Sequence, residues 1–445
     1  MKKKRLSALL LAASMLLALP ACSNDAPPPS SSSETSSTST PAPNAEATKL
    51  TFWTFQELHV GFYEEMQKQW NEANPDKQID FDFVVYPFDE MHNKLTMAFQ
   101  SGTGAPDMVD IEIGKYANYL KGDIQLLPLN DIIEPELPNI VRSRVDIYAK
   151  DNNFYGIDFH VGAAVTFYNT EILDAANVDY KTIKTWDDYY EAAKKVKEAT
   201  NKPFVSLEST DVWHMLPMIY SQGSDILSDD GKPQINTPEM AKALEYNQKL
   251  LEEDLAIVAP GDYHHSEEFY SLMGGGGVAS ITMPFWYLNR FTDYMPDLSG
   301  KMAIAPCPVW EDGQPRSVGL GGTGTSVTKQ SQHADLVKEF LAYAKLSKEG
   351  NIQIWKQLGF DPIRPEVWSM AELHDDTESV FMKYFVTNPF DVLSEIKDEI
   401  PAHKVSEALP STQDMLKNTV LSKAYNDRVK DIPAMLDEAE GNIIY

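Results

Sequence analysis

Cysteine is almost absent: Cys22 and Cys307 are the only two among 445 residues. A scaffold stapled by several disulfides is therefore excluded, and the fold must rest on its hydrophobic core. Basic charge is scarce as well. Lys and Arg number 38 against 66 Asp and Glu, for a net charge of −28. Such a surface repels nucleic acid and anionic polymers but leaves neutral solutes undisturbed. No apolar run is long enough to span a bilayer, since the longest, residues 6–19, falls short of a membrane helix. Histidines are dispersed (His59, His92, His160, His214, His333), and only His264 and His265 adjoin. Neighbours on regular structure point apart, so no metal-ligand set emerges and neither a metal nor a cofactor is expected. The glycines at 274–277 lack the Lys-Ser or Lys-Thr of a phosphate loop and lead into a strand pattern. Neither an internal repeat nor β-sandwich spacing is present, which argues against an adhesin or surface scaffold.

What is there begins with a leader. Lys2, Lys3, Lys4 and Arg5 precede the apolar run, as in a signal peptide, giving a leader at residues 1–21. The run closes on Leu19-Pro20-Ala21-Cys22, which resembles the bacterial lipobox, with Pro20 as a departure from it. Cys22 is thus the expected lipidation site. Residues 22–48, rich in Ser, Thr, Pro and Ala, cannot bury enough surface to fold and read as a tether. Together these predict an exported protein, lipid-anchored to the outer face of the cytoplasmic membrane, in a Gram-positive bacterium. Roughly four hundred residues remain, enough for two or more domains.

Strand and helix patterns alternate through that remainder, the mark of an α/β protein. Strands are predicted at 49–55, 79–85, 106–113, 277–283 and 302–306. Helices are predicted at 57–74, 91–100, 186–199, 238–254, 335–347 and 349–358, and the tail to Tyr445 reads as mostly helical. In the first helix Leu58, Phe62, Met66 and Trp70 recur every four residues, until Asn74-Pro75 stops it. In the third strand Val109, Ile111 and Ile113 share one face, while Asp110 and Glu112 share the other near its carboxyl end. Open α/β sheets place ligands there.

Several blocks in one order carry a resemblance: Leu50-Thr51-Phe52-Trp53, the run from Phe99 to Asp107, Leu127-Pro128-Leu129-Asn130-Asp131, Phe154-Tyr155-Gly156-Ile157-Asp158, Lys184-Thr185-Trp186-Asp187-Asp188 and Val318-Gly319-Leu320-Gly321-Gly322. The chain resembles the type 1 extracellular solute-binding proteins of bacterial ABC transporters, which include the maltose-binding proteins. The resemblance implies a two-lobe periplasmic-binding-protein-like fold of type II, with an inter-lobe ligand cleft that closes by hinge bending. It places one lobe at 49–160 plus 305–352 and the other at 161–304 plus 353–445, crossing near Phe159-His160 and near Ala305-Pro306. It also implies a monomer that captures a carbohydrate and hands it to the permease subunits of an importer. That is a binding role without catalysis.

Sugar rings offer C–H faces to flat aromatics and hydroxyls to fixed polar groups. The chain has 8 Trp and 20 Tyr. Trp53, Trp213 and Trp286 are the candidate stacking faces, and Gln56, Glu57, Asp110, Glu112, His160 and Arg364 the candidate polar contacts. Gly321 and Gly322 are candidates for close backbone approach to the ligand. Two alternatives remain: a secreted glycoside hydrolase using a carboxylate pair such as Asp110 and Glu112, and a non-catalytic surface carbohydrate-binding protein. The runs Trp53 to His59, Tyr86 to Leu95 and Asp110 to Lys115 are most similar to the arabinose and arabino-oligosaccharide binders of the family. The ligand implied by that similarity is an arabino-oligosaccharide.

Overall fold

The computed structural model describes residues 46–401 and 403–445. The leader expected at 1–21, the lipidation site expected at Cys22 and nearly all of the expected tether lie outside the described residues. The principal strands, in chain order, are β1 (Thr48–Thr54), β2 (Ile79–Val85), β3 (Met108–Glu112), β4 (Ala164–Asn169), β5 (Val205–Leu207), β6 (Ala256–Val258), β7 (Ser280–Pro284), β8 (Met302–Pro306) and β9 (Thr323–Val327). The longer helices are α1 (Glu57–Ala73), α2 (Phe88–Ser101), α3 (Trp186–Thr200), α4 (Pro238–Glu252) and α5 (Ala334–Leu346). Among the described residues these strands form two sheets, in the orders β9-β3-β1-β2 and β8-β4-β7-β5-β6, beside a small hairpin of Ala149–Lys150 with Asn153–Phe154. In the first, β1 is parallel to β2 and β3, and β9 runs antiparallel along β3. In the second, β4 lies between antiparallel β8 and β7, and β5 is parallel to β7 and β6. Among the described residues no helix is long and apolar enough to cross a membrane.

Each sheet is covered by helices whose periodicity dictates what they bury. α1 turns Phe62, Tyr63, Met66 and Trp70 onto Leu50, Phe52, Ile79 and Phe81, and each such side chain contributes about 1.5–3 kcal/mol by leaving water. The helix stops where Pro75 forbids continuation, and the Asn74 side chain donates to the Trp70 carbonyl at 2.9 Å. On the opposite face of the same sheet Val109 and Ile111 pack with Met91, Leu95, Tyr116 and Tyr148. In the second lobe α3 opens on a reciprocal Thr185–Asp188 capping box, and α4 on Thr237 followed by Pro238. Cys307 is buried and free, and burial pushes its thiol up to about 12. It is unreactive at neutral pH.

The chain passes between the lobes at 157–164, 317–323 and 359–364. Ile157 bridges Thr325 and Ala163 bridges Gly319, both antiparallel. Val161 N–H donates to the Asp361 carbonyl at 2.8 Å, and Leu320 N–H to that of Gly162 at 2.8 Å. The second passage thus comes later than the expected crossing at Ala305-Pro306. β8 completes its ladder with β4 through Pro306, and Val309 then bridges Thr185. Trp310 sits 5.4 Å from Tyr246, between ring centres. Arg316, held by Glu395 and Glu399 at 2.6 Å each, ends this second-lobe excursion. The last passage is also later than residue 353, because Ile354 and Leu358 still pack in the first core while Trp355 reaches into the second.

β3 ends at Glu112, and Ile113 begins a short helix (Ile113–Tyr116) in place of the predicted strand residue. α2 starts three residues before its predicted start at 91, with Asp89 and Glu90 in its first turn. Acidic side chains are favourable at that end of a helix.

Candidate functional site

A cleft of about 590 Å³ opens where the carboxyl ends of β1 and β3 face the segment after β7. Each wall follows from a local break in regular structure. β1 gives way at Phe55 and Gln56, which turn into the cleft before α1 begins. β7 ends at Pro284, and the helical turn Phe285–Tyr287 swings Trp286 across the opening. Trp213 enters from the loop before the short helix Met215–Tyr220.

The two tryptophans meet edge to face, 5.2 Å between centres at 84°. His265 stacks on the Trp286 ring at 5.8 Å and 18°. Trp286 Nε1–H donates to the Leu320 carbonyl at 3.2 Å. Gly321 makes this arrangement possible. Its φ is 70°, and a Cβ there would lie 2.9 Å from Trp286 Nε1. Any larger residue would combine backbone strain with displacement of the indole.

Charge in the cleft is largely compensated. Lys417, in the π-helical turn Leu416–Val420, pairs with Asp211 at 3.1 Å and lies 5.6 Å over the Trp213 ring. Burial works against its ammonium, but Asp211 and Glu112 outweigh that and hold its pKa above the ordinary value. Glu112 is pushed up to about 7 by burial, against the pull of Lys417 and the Gly114 N–H that it accepts at 2.7 Å. Near neutral pH it therefore exists in both forms, one that only accepts hydrogen bonds and one that also donates. Burial lowers His160 to about 3 despite the neighbouring Asp158, and lowers His265 to about 4 with Arg290 adding to the effect. Both imidazoles are neutral at pH 7. The lining is consequently aromatic and rich in hydrogen-bonding groups of both kinds.

Of the residues expected from sequence, Gln56, Glu112, His160, Trp213, Trp286, Gly321 and Gly322 line this cleft. Four do not. Trp53 points to the other face of β1 and packs edge to face on Tyr86 at 5.3 Å. Glu57 is exposed on the first turn of α1. Asp110 is fully buried, because helices cover both faces of its sheet and its carboxylate must find partners inside. It takes His59 at 2.7 Å, Thr54 at 3.0 Å and Thr325 at 2.6 Å. Arg364 is drawn away to Glu136 and to the Leu346 carbonyl, both at 2.8 Å. Gly322 needs its bareness for a reason other than ligand approach: a Cβ there would lie 2.5 Å from both Asp158 Oδ2 and the Tyr148 hydroxyl.

Sequence reasoning missed Phe55, His59, Asp211, His265, Arg290, Phe360 and Lys417, all on the lining. Only His265 carried a usable signal. The His264-His265 pair lies in a turn, and its two rings take different surroundings. His264 is sealed against Ser206, Met283 and Phe269, and His265 takes the cleft.

Residues 56–350 match the family model described as bacterial extracellular solute-binding protein. The chain is 44% identical over 399 residues to an arabinooligosaccharide-binding protein of Bacillus subtilis (strain 168), covering 89% of this chain and 92% of that one. It is 43% identical to another of that name from Halalkalibacterium halodurans, covering 89% of each. Among solved structures, the GacH receptor of Streptomyces glaucescens superimposes with a TM-score of 0.72 at 20% identity, over 90% of this chain and 99% of that one. A binding protein from B. animalis subsp. lactis Bl-04, solved with beta-1,6-galactobiose, gives 0.70 at 20% identity over 90% and 97%. At that identity the two structures speak for the two-lobe fold alone.

Proposed function

Because the chain belongs to the bacterial extracellular solute-binding protein family, whose work is capture and not catalysis, we propose that it binds an arabino-oligosaccharide in this cleft and delivers it to the permease of an ABC importer. The observation that carries the reading is the Trp213–Trp286 platform, fixed by Gly321, in a chain 44% identical over 399 residues to an arabinooligosaccharide-binding protein. Pentose rings stack their C–H faces on such indoles. Their hydroxyls meet Gln56, Glu112, Asp211 and the neutral imidazoles, some as donors and some as acceptors. The passages at 157–164, 317–323 and 359–364 act as the hinge about which the lobes close.

Calorimetric titration tests the ligand. Heat is expected with arabinobiose and arabinotriose, and a sugar at a hundred times its dissociation constant raises stability by about 2.7 kcal/mol in thermal melts. Silence with both arabinans alongside binding of xylotriose or maltotriose rejects the arabinan assignment and keeps the receptor.

The mature protein is, in the same reading, tethered through a lipidated Cys22 on the outer face of the cytoplasmic membrane of a Gram-positive cell. Support comes from the basic residues 2–5, the apolar run 6–19, the lipobox-like Leu19-Pro20-Ala21-Cys22 and the polar tether. Cys22→Ala should move the protein from the membrane fraction into the medium. Unchanged retention removes the anchor from the proposal.

A further inference from the structure

His59 sits where the first lobe meets the cleft, and its two ring nitrogens lie in opposite environments. Nδ1 is 2.7 Å from Asp110 Oδ2, beneath the cleft wall. The ring stacks on Phe159 at 4.1 Å and 26°, and turning it over would put a carbon in place of Nδ1 beside Asp110. The residue is only 3% exposed, yet it lines the cleft. Among the described residues Nε2 makes no hydrogen bond, and it is not one of the sealed, unpartnered polar atoms. The edge of the ring away from Asp110 is therefore the one that meets the ligand space.

The groups behind Asp110 determine which nitrogen carries the proton. Lys345 Nζ and the Tyr63 hydroxyl each donate to Thr325 Oγ1 at 2.9 Å. With its lone pairs engaged, the Thr325 hydroxyl gives its own hydrogen to Asp110 Oδ1 at 2.6 Å. Thr54 donates to Oδ2. A carboxylate surrounded in this way is an acceptor only, and the sole group that His59 can offer it is an Nδ1–H. In the neutral ring Nε2 is then left as a bare acceptor.

We propose that His59 is a ligand-contacting residue whose Nε2 accepts a hydrogen bond from a sugar hydroxyl, and that Asp110 is its positioning residue, fixing both ring orientation and tautomer. This rests on the sugar-binding reading above. It also assigns the buried carboxylate a role: Asp110 acts on the ligand through His59 and does not touch it. An ordinary core histidine would have both nitrogens satisfied within the protein or would bear the cost of a dry, unpaired one.

Two measurements test this. In the 15N spectrum of the ligand-free full chain, His59 should show a protonated Nδ1 and an unprotonated Nε2, and the Nε2 resonance should shift when arabinotriose is added. A resting ring that carries a proton on Nε2, whether alone or together with Nδ1, overturns the proposal, and that result does not depend on which sugar binds. By calorimetry, His59→Phe should weaken arabinotriose binding about tenfold, as expected for loss of a buried hydrogen bond. Asp110→Asn should weaken it comparably in the wild-type background and leave it unchanged in the His59→Phe background. His59→Gln, which can still present a side-chain oxygen, should recover part of the loss. A folded His59→Phe protein with wild-type affinity, or independent effects of the two substitutions, overturns the assignment. If wild type prefers xylotriose or maltotriose, the arabinan reading fails and the same variants are judged on that sugar. If wild type binds none of the three, the sugar-binding reading fails and takes the ligand contact with it.

Discussion

Arg144→Ala is expected to lower the unfolding free energy by about 3–5 kcal/mol, because it leaves a buried carboxylate without its counter-charge. Arg144 and Asp158 are 1% and 0% exposed and meet at 2.5 Å. The guanidinium also donates to the His160 carbonyl at 3.0 Å and to that of Gly321 at 2.6 Å. Asp158 accepts in turn from the Tyr148 hydroxyl at 2.8 Å and from the backbone of Phe159 and Thr323. One side chain thus ties together two of the three inter-lobe passages. Lysine cannot reproduce the fork, so Arg144→Lys should recover only part of the loss. Burial opposes ionisation of Asp158, but Arg144, with Lys345 and Tyr148, overcomes it and holds the carboxyl below its ordinary 3.8. A depressed carboxyl contributes its stability above the unfolded value and loses it as pH falls through the folded one. Wild type should therefore weaken below about pH 4, and Arg144→Ala should lack that part of the acid slope. Urea denaturation followed by circular dichroism across pH reads both effects. An unchanged midpoint would show that the pair is dispensable.

How far the sequence was legible depended on whether a residue's neighbours lay close along the chain. α1 could be read from Leu58, Phe62, Met66 and Trp70, because helix periodicity and the Asn74-Pro75 stop are local. The Thr185–Asp188 cap was equally plain. Asp110 misled because strand alternation separates two faces without saying what covers them, and here both are covered. Arg364 misled because its partner Glu136 is remote in sequence. The passage misplaced at Ala305-Pro306 is a matter of pairing: an edge strand that returns to its own sheet looks, along the chain, like one that leaves it. Gly321 and Gly322 both border the cleft, but their tasks differ. One leaves room for an indole and the other for a buried ion pair, and neither fact is written in a Gly-Gly dipeptide. Lys417 reaches the cleft from a C-terminal π-helical turn that no local pattern marks.

Trp286→Ala is expected to raise the dissociation constant for arabinotriose roughly ten- to a hundredfold, the range for truncating a buried aromatic at the centre of a binding site. Trp286 is half-buried and packs against the hydrophobic clusters of both lobes, so it lies where the two meet. Its removal takes away a stacking face and the edge-to-face support of Trp213. Trp286→Phe keeps a face but loses the Nε1–H bond to Leu320, and should fall between wild type and alanine. A second substitution separates the role of the platform from that of the side chain itself. Gly321→Ala leaves both tryptophans in the chain, yet its Cβ would sit 2.9 Å from Trp286 Nε1 on a backbone with φ of 70°. It should weaken binding by tilting the indole, and the same tilt should alter the tryptophan emission of the ligand-free protein before any sugar is added. Calorimetry gives the affinities and fluorescence reports the platform. If Trp286→Ala and Gly321→Ala both fold and both bind arabinotriose as wild type does, the sugar is held elsewhere in the cleft, and the indoles serve only to join the lobes.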